Sequence, residues 1–345
     1  MNQPIGGGTT EEKQALAQMG AAVLLGLYSA QTGKGDLAAA IASLKGQSIQ
    51  CNSIKTEMDQ HGVSKFIHQA AIYSGTKTYV ESLPEKLFKI GKISPSAVNL
   101  VIQYLRVSMG MLYLKNNQAQ FEQEEVIATM GQGLGFDPAG VSLEDMISKI
   151  SSNLMPRFSN QSSNKEVPFL SDIIGAGITY AFVLAFGNSL KKTLLDGAPP
   201  SQIQVLTRNM EQEYHTLILE YVVAAAWADN VLKAEEEEFL TTIASHLGAE
   251  ASLVKGLIDK KAPISAIHTP DDKDLKEFIM ALVIGVIVSE YEVHEKEIGF
   301  LQDLCNKFSF TQPTFEGSLA KFKSMFPEFK LSRNNSQQLQ TVLAA

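Results

Sequence analysis

Four carboxylates recur at matched spacing in the second half of the chain, and they are the residues best suited to chemistry. Asp229 and Glu290 each follow an apolar run, and a glutamate stands seven positions after each of them, at Glu236 and Glu297. Carboxylates clustered without a counter-charge repel one another, so such a group requires a cation or a basic partner. The four residues therefore predict a metal site for Ca²⁺, Mg²⁺ or Mn²⁺, with a divalent cation as the candidate cofactor.

The same spacing also has a purely structural interpretation. If Lys233 and His294 are N-cap residues, Glu236 and Glu297 fall at the third helical position, where a carboxylate accepts the N-cap backbone N–H. This arrangement also complements the helix dipole and contributes about 0.3–1 kcal/mol. Neighbouring imidazoles would admit a transition metal as well. The nearby acids and histidines are Glu235, Glu292, Glu295, His246 and His294.

The matched offsets predict an internal duplication. In both copies an apolar residue stands three positions after the first acid, and a Phe-Leu pair stands ten and eleven positions after it. Two such copies in one half of a chain indicate a repeated helix–turn–helix corner. A pseudo-two-fold arrangement would bring the corners side by side and join their carboxylates into one acidic surface.

The first copy carries a family resemblance. An apolar helix, then Ala-Asp-Asn, then a glutamate and an amphipathic helix ending in Leu-Gly resembles the TerB-like helical domain of tellurite-resistance proteins. The match runs over residues 228–248, has a weaker counterpart at 290–308, and covers roughly residues 170 to 326. Asn230 stands where the family usually has Gly, and Glu290-Tyr291 replaces Asp-Gly, which weakens any transfer of a family metal site. The resemblance implies a non-catalytic domain with an acidic face, of the kind found in bacterial stress-response and envelope-associated proteins.

Helical periodicity dominates the rest of the chain, and its 345 residues are enough for two domains. Runs with strand alternation are essentially missing, which predicts an all-α protein. We expect a disordered leader at 1–10, an N-terminal helical domain at 11–155, a linker at 156–168, a TerB-like domain at 169–329 and a mobile tail at 330–345. The linker is expected because prolines bracket a run of Ser, Asn and Gln.

Individual helices are predicted from apolar spacing, caps and breakers. In the N-terminal half they are expected at 11–30, 36–44, 94–115 and 122–134, with a short one starting near Ser142. The pattern over 53–90 is also helical but polar, with breaks near Gly62, Gly75 and Pro84. In the C-terminal half they are expected at 170–195, 201–229, 233–247, 251–260, 271–289, 294–308 and 315–325.

Composition excludes several classes of protein. The net charge is −8 and no basic block occurs, so nucleic-acid binding has no electrostatic basis. Cys51 and Cys305 lie far apart without a CxxC pattern, which favours a reducing compartment. The N-terminus lacks a positively charged n-region. The longest apolar stretches, 19–30, 173–186 and 278–288, are shorter than the roughly 18 to 20 residues that span a bilayer. We therefore expect a cytoplasmic protein without membrane insertion, while peripheral association with an envelope protein stays open.

These observations favour a non-enzymatic bacterial interaction or stress-response protein that presents its corners to a protein partner or a cation. HExxH, GxSxG, P-loop and paired CxxC motifs are absent. Glu211, Glu213 and His215 share one helix, but a carboxylate-bridged site would need a second such helix. Two alternatives stay open. One is a component or substrate of a bacterial secretion machine that acts through protein contacts. The other is a metal-dependent hydrolase that uses the clustered carboxylates.

Overall fold

The computed structural model describes residues 9–32, 36–74, 95–154, 168–197, 212–247, 249–288 and 294–310. Within these ranges the chain forms twelve α-helices, one short 3₁₀ turn and two short strands. The predicted all-α class is therefore confirmed. Most of the predicted leader and linker, the predicted tail and the helix expected at 315–325 lie outside the described residues.

The helices and strands are numbered here in chain order. The first part of the chain contains α1 (Thr10–Thr32), α2 (Leu37–Ala42), β1 (Ser48–Gln50), α3 (Asn52–Ser74), α4 (Pro95–Asn116), β2 (Gln120–Glu122), α5 (Gln123–Gly133), α6 (Leu143–Leu154) and α7 (Pro168–Leu194). The second part contains α8 (Gln212–Ala226), α9 (Ala234–Leu247), α10 (Ala251–Lys260), the 3₁₀ turn Ile264–Ala266, α11 (Lys273–Val288) and α12 (Glu295–Phe308).

Short polar side chains start two of the helices as predicted. Asp36 precedes α2, and its Oδ1 accepts the backbone N–H of Ala39 at 2.9 Å. Ser142 precedes α6, and its Oγ accepts the backbone N–H of Asp145 at 3.1 Å. Both contacts satisfy N–H groups that have no partner inside the helix. Local capping chemistry therefore fixes these boundaries.

Two other helix starts differ in detail from the sequence prediction, and one predicted break lies inside a helix. The break near Gly62 is a kink inside α3, where this residue has φ of 73°; Gly75 and Pro84 lie outside the described residues. Thr10, assigned to the leader, is the first residue of α1. Pro168, assigned to the linker, begins α7, because a proline lacks only an N–H that the first helical turn would leave unpaired anyway.

The chain divides into two compact units, and the division does not follow the predicted boundary at 168. Among the described residues the first unit holds 9–154, with the gaps given above, and 182–197. The second unit holds 168–181 and 212–310. Helix α7 thus begins in the second unit and ends in the first. Residues 182–197, predicted to belong to the C-terminal domain, are part of the first unit because their apolar side chains complete its core.

The first unit is built around α4. Residues 97–113 of this helix are buried on every face, so it is the central helix and not an amphipathic surface helix. Helices α1, α3 and α5 pack against it. Phe186 of α7 stacks on Tyr104 with the ring centroids 4.2 Å apart. The sequence alone gave no reason to separate the end of α7 from its beginning, since both are equally apolar.

The two strands form a small antiparallel pair that the sequence analysis did not predict. Ser48 pairs with Glu122, Ile49 with Phe121, and Gln50 with Gln120. Only the middle residue of each strand is buried. Three residues are too few to display the alternation that identifies a strand in a sequence.

The second unit packs α8 against α11, and α9, α10 and α12 lie around them. Tyr221 of α8 is fully buried, and its hydroxyl donates to the carbonyl of His268 at 2.9 Å. Its ring meets Phe308 of α12 edge to face at 5.1 Å. Apolar residues on α8 and α11 therefore form the core from which the two predicted corners project.

One helix of the described chain, α4 over Ala97–Asn116, is long and apolar enough to cross a bilayer by length and composition. The most apolar 18-residue window of this stretch is 94% buried inside the protein. The apolarity of α4 is accounted for by its place in the core of the first unit.

Candidate functional site

The first corner consists of residues 227–236, between α8 and α9. Helix α8 ends at Ala226, and Asn230 has φ of 74°, in the left-handed region that asparagine tolerates better than most residues. The carboxylate of Asp229 accepts the backbone N–H of Val231 at 2.8 Å, which closes an Asx turn. Asp229 therefore holds the turn in shape, as its position in the sequence predicted.

Glu236 closes the first corner from the helix side. Its Oε2 accepts the backbone N–H of Lys233 at 3.0 Å, and the residue is 1% exposed. Lys233 is thus the N-cap residue of α9, and the glutamate occupies the third helical position. The structural interpretation of this glutamate is confirmed. Leu232, the apolar residue three positions after Asp229, is half-buried.

The second corner lies between α11 and α12. Its described residues, 294–297, repeat this contact at the start of α12. Glu297 is 2% exposed, and its Oε2 accepts the backbone N–H of His294 at 2.6 Å. The capping prediction is confirmed here as well. Residues 289–293, which include Glu290, lie outside the described residues.

Two polar contacts join the corners to each other. Lys233 Nζ lies 3.1 Å from His294 Nε2, and both side chains are half-buried. Lys296 Nζ donates to the backbone carbonyl of Asp229 at 3.2 Å. The expectation that the corners lie side by side is confirmed by these contacts.

The spacing of the first contact identifies the symmetry of the arrangement. Lys233 and His294 are 61 positions apart, and Glu236 and Glu297 are also 61 apart (297 − 236 = 61). The two residues in contact are therefore equivalent positions of the two copies. A contact between equivalent positions is what the predicted pseudo-two-fold arrangement requires near its axis.

Aromatic residues anchor both corner helices in the core. Phe239 of α9 and Phe300 of α12, the equivalent residues of the two Phe-Leu pairs, are both buried. Phe239 packs so closely on α11 that a Cβ at Gly285 would lie 2.7 Å from its ring. A side chain at that glycine would push the aromatic ring, and with it α9, away from α11.

The predicted acidic surface is described only in part, because Glu290 and Glu292 lie outside the described residues. Glu236 and Glu297 are turned inward, where they accept N-cap N–H groups, and they expose almost no carboxylate surface. Half-buried Lys233 and His294 lie in contact between the two helix starts. Exposed charged side chains in the described first turns of α9 and α12 include Glu237, Glu295 and Lys296. The described surface is thus of mixed charge.

The predicted metal ligands are only partly described. Asp229, Glu236 and Glu297 each use a carboxylate oxygen in a backbone hydrogen bond, and Glu290 is not among the described residues. Across the described ranges, no three His, Cys, Asp or Glu side chains converge in a way that could hold a metal ion. The metal site stays a prediction.

The remaining candidates show chemistry typical of buried structural groups. Burial raises the pKa of the Cys51 thiol to about 12, with a smaller contribution from the charge of Glu12, and burial raises that of Cys305 to about 11. Burial also lowers the pKa of His215, which favours its neutral form. Glu211, its predicted neighbour on the helix, lies outside the described residues. Thiols with raised pKa values are weak nucleophiles at neutral pH.

Sequence reasoning did not anticipate the role of the Lys233 side chain or that of Lys296. The contact of Lys233 could have been predicted from the duplication, because the offset of 61 positions between the copies aligns Lys233 with His294. The contact of Lys296 could not be predicted from the sequence. Its acceptor is a backbone carbonyl, which every residue has, so no residue type marks it.

Comparison of the chain with protein-family models, with curated proteins and with solved structures finds no match.

Proposed function

We propose that the second unit is a TerB-like, non-catalytic interaction module that binds a protein partner through its paired corners in the bacterial cytoplasm. The observation that carries this proposal is the 3.1 Å contact between Lys233 and His294, the N-cap residues of α9 and α12. Two adjoining helix starts, each held by its own capping hydrogen bond, offer a partner a surface that loses little conformational entropy on binding.

An exposed aliphatic side chain supports this choice of surface. Val231, at the tip of the first corner, is 54% exposed, and its backbone N–H is held by the Asp229 carboxylate. Among the described residues the only other exposed large hydrophobic side chain is Leu114, in the first unit, at 39%. A single exposed valine is not a binding site by itself. Its place on a preformed turn makes it the contact to test.

The ionisation of the candidate nucleophiles supports a non-catalytic role. Both thiols have raised pKa values, as described above.

Site-specific photo-crosslinking tests the proposal. A benzophenone amino acid at position 231 of the full chain, expressed in the native host, is expected to give one discrete heavier species after irradiation. The same residue at position 114 is the matched control, since Leu114 is also aliphatic and exposed. Absence of any adduct at 231, or the same adduct at both positions, would count against a partner at the corners.

The tellurite-resistance and stress-response roles rest on the TerB resemblance and are part of the same proposal. Loss of the protein is expected to reduce growth on tellurite. The wild-type chain should restore growth, and Val231→Asp should not. Equal growth with and without the protein would remove the stress role. Cell fractionation provides the check on location, because recovery outside the soluble cytoplasmic fraction would contradict it.

A further inference from the structure

A row of buried polar side chains lies on the face of α4 that packs against α3. Asn99, Gln103 and Arg106 are 2%, 0% and 4% exposed, in a helix whose other buried residues are mostly apolar. Because these positions are three or four residues apart, their side chains share one face of the helix. Asn99 donates to the backbone carbonyl of Tyr73 at 2.8 Å, and Arg106 forms an ion pair with Glu57. Both partners belong to α3, so the polar row faces that helix.

The kink of α3 brings both of its segments to the same guanidinium. Residues 57 and 66 are nine positions apart (66 − 57 = 9), about 900° along a straight helix, and would lie on opposite faces of it. The chain bends at Gly62, so Glu57 pairs with Arg106 while the rings of Phe66 and Tyr73 lie 5.2 Å and 5.1 Å from the guanidinium carbon. The ion pair is therefore enclosed from both sides of the kink.

Three acceptor oxygens at this interface have no donor within the described part of the chain. They are the Oε1 atoms of Glu57, Gln69 and Gln103, and all three atoms are buried. Gln69 follows Phe66 by three positions and precedes Tyr73 by four, so it lies on the same face of α3 as these two rings. Buried polar atoms in proteins nearly always have a hydrogen-bond partner. Three such acceptors on one helix interface indicate a bound group that donates hydrogen bonds.

We propose that internal water binds between α3 and α4 and donates to the Oε1 atoms of Glu57, Gln69 and Gln103. A buried water molecule needs two to four polar partners, and it can donate two hydrogen bonds. The charges favour water over a metal cation, because Glu57 and Arg106 neutralise each other and a cation would add an uncompensated buried charge. The site belongs to the first unit and does not depend on the function proposed for the second.

Nuclear magnetic resonance of the full-length wild-type protein tests the site directly. Water-selective rotating-frame Overhauser spectra distinguish a bound water from proton exchange, and they should show a long-lived water beside the side-chain amide of Gln103. The amide resonance is assigned by its loss in Gln103→Met. Absence of a dipolar contact between water and this amide would overturn the proposal. So would loss of the contact when Na⁺ and K⁺ are replaced by choline, because the occupant would then be a cation.

Ser108→Ala is the matched control for this measurement. The Ser108 hydroxyl is also a buried polar group of α4, and it donates to the carbonyl of Tyr104 at 2.8 Å. Positions 106 and 108 are two residues apart and do not share a face of the helix. The water contact at Gln103 should therefore persist in Ser108→Ala. Its loss there would overturn the assignment to the α3–α4 site.

The sign of a stability change provides a second test. Gln103→Met removes one acceptor of the bound water and leaves the oxygens of Glu57 and Gln69 less well paired. We expect the folding equilibrium constant of the first unit to fall about fivefold or more. Hydrogen exchange of the α4 amides measures this constant. An unchanged or raised constant would contradict the proposal, because removal of a buried acceptor that lacks any partner stabilises a protein.

Discussion

Each unit contains a helix that starts with a buried capping glutamate, and the two units use this glutamate differently. Glu12 of α1 accepts the backbone N–H of Thr9 at 2.8 Å, as Glu236 accepts that of Lys233. Glu12 also accepts from the backbone N–H of Ser53 at 2.8 Å and from the hydroxyl of that residue. One carboxylate therefore holds the first turns of both α1 and α3.

In the second unit the corners are joined by other side chains. Each capping glutamate bonds the N-cap residue of its own helix, and Lys233, His294 and Lys296 make the contacts between the corners. The first unit thus ties two helix starts with a fixed, buried charge. The second ties them with groups that are half-buried or exposed. The same sequence signal, a glutamate at the third helical position, does not reveal this difference.

The largest effect is expected at the shared carboxylate. Glu12→Ala removes the acceptor for donors from two helices and should lower the free energy of unfolding by about 2–4 kcal/mol. Denaturant unfolding followed by circular dichroism measures it. Glu11→Ala, which removes an exposed acid from the same turn, is the control and should change little. Similar losses in both variants would show that the role of Glu12 in joining α1 to α3 is overestimated.

The alkylation rates of Cys51 and Cys305 compare the first unit with the second. Cys51 is buried and has a pKa of about 12, partly through the nearby charge of Glu12, whereas half-buried Cys305 has a pKa of about 11. One pKa unit corresponds to about tenfold in thiolate fraction. Iodoacetamide at about pH 8 should therefore modify Cys305 at least about tenfold faster, as read by mass spectrometry of peptides. Equal rates would mean that the core around Cys51 opens more readily than its packing indicates.

Smaller losses are expected at the corners. Glu236→Ala and Glu297→Ala should each lower the free energy of unfolding by about 0.5–2 kcal/mol, since each removes one cap contact. Urea unfolding followed through Trp227 reports on the second unit. Glu237→Ala, an exposed acid on α9, is the matched control. A loss at Glu236 as large as that at Glu12 would remove the distinction between the two units.

A still smaller effect is expected at Lys296. This exposed side chain donates to the carbonyl of Asp229, and Lys296→Met should cost only a few tenths of a kcal/mol. The same unfolding assay, averaged over repeated titrations, can detect such a difference. A loss above about 1 kcal/mol would show that this contact, and not the one between Lys233 and His294, is the main polar link between the corners.

The smallest expected response is to divalent cations. Because Glu236 and Glu297 are buried cap acceptors, titration with Ca²⁺, Mg²⁺, Mn²⁺ and Zn²⁺ should leave Trp227 fluorescence and thermal stability without a saturable change. Trp227 is a sensitive reporter because Lys261 Nζ lies 3.6 Å above its ring centroid. A saturable response to one ion, lost in Asp229→Asn and Glu290→Gln, would establish the metal site and reopen the hydrolase alternative.

Most helices were predictable because their signals are local. Helix α10 begins and ends where the sequence predicted, and the starts of α9 and α12 lie within one residue of the prediction. The strands were missed because β1 and β2 form only by pairing residues about 70 positions apart (121 − 49 = 72). The capping role of Glu236 was predictable from its position. Its burial was not, because burial depends on which helices pack over the corner.

The unit boundary could not be predicted for a similar reason. The stretch 156–168 has the composition of a linker. Composition shows that a segment has few apolar side chains to bury, but it does not show which unit the neighbouring segments join. Membership of residues 182–197 in the first unit depends on partners such as Tyr104 and Ile67, which lie far away in the chain. No local pattern distinguishes an apolar helix that completes one core from an apolar helix that completes another.

The division of α7 between the units has a consequence for synthesis of the chain on the ribosome. The helices of the first unit up to α6 end at Leu154, but Phe186 and Leu190, which fill the same core, are made later. Translation from residue 154 to the end of α7 adds 40 residues (194 − 154 = 40), which takes about 2–8 seconds at ordinary rates. During that interval we expect the apolar side chains around Tyr104 to lack the cover that Phe186 later gives them.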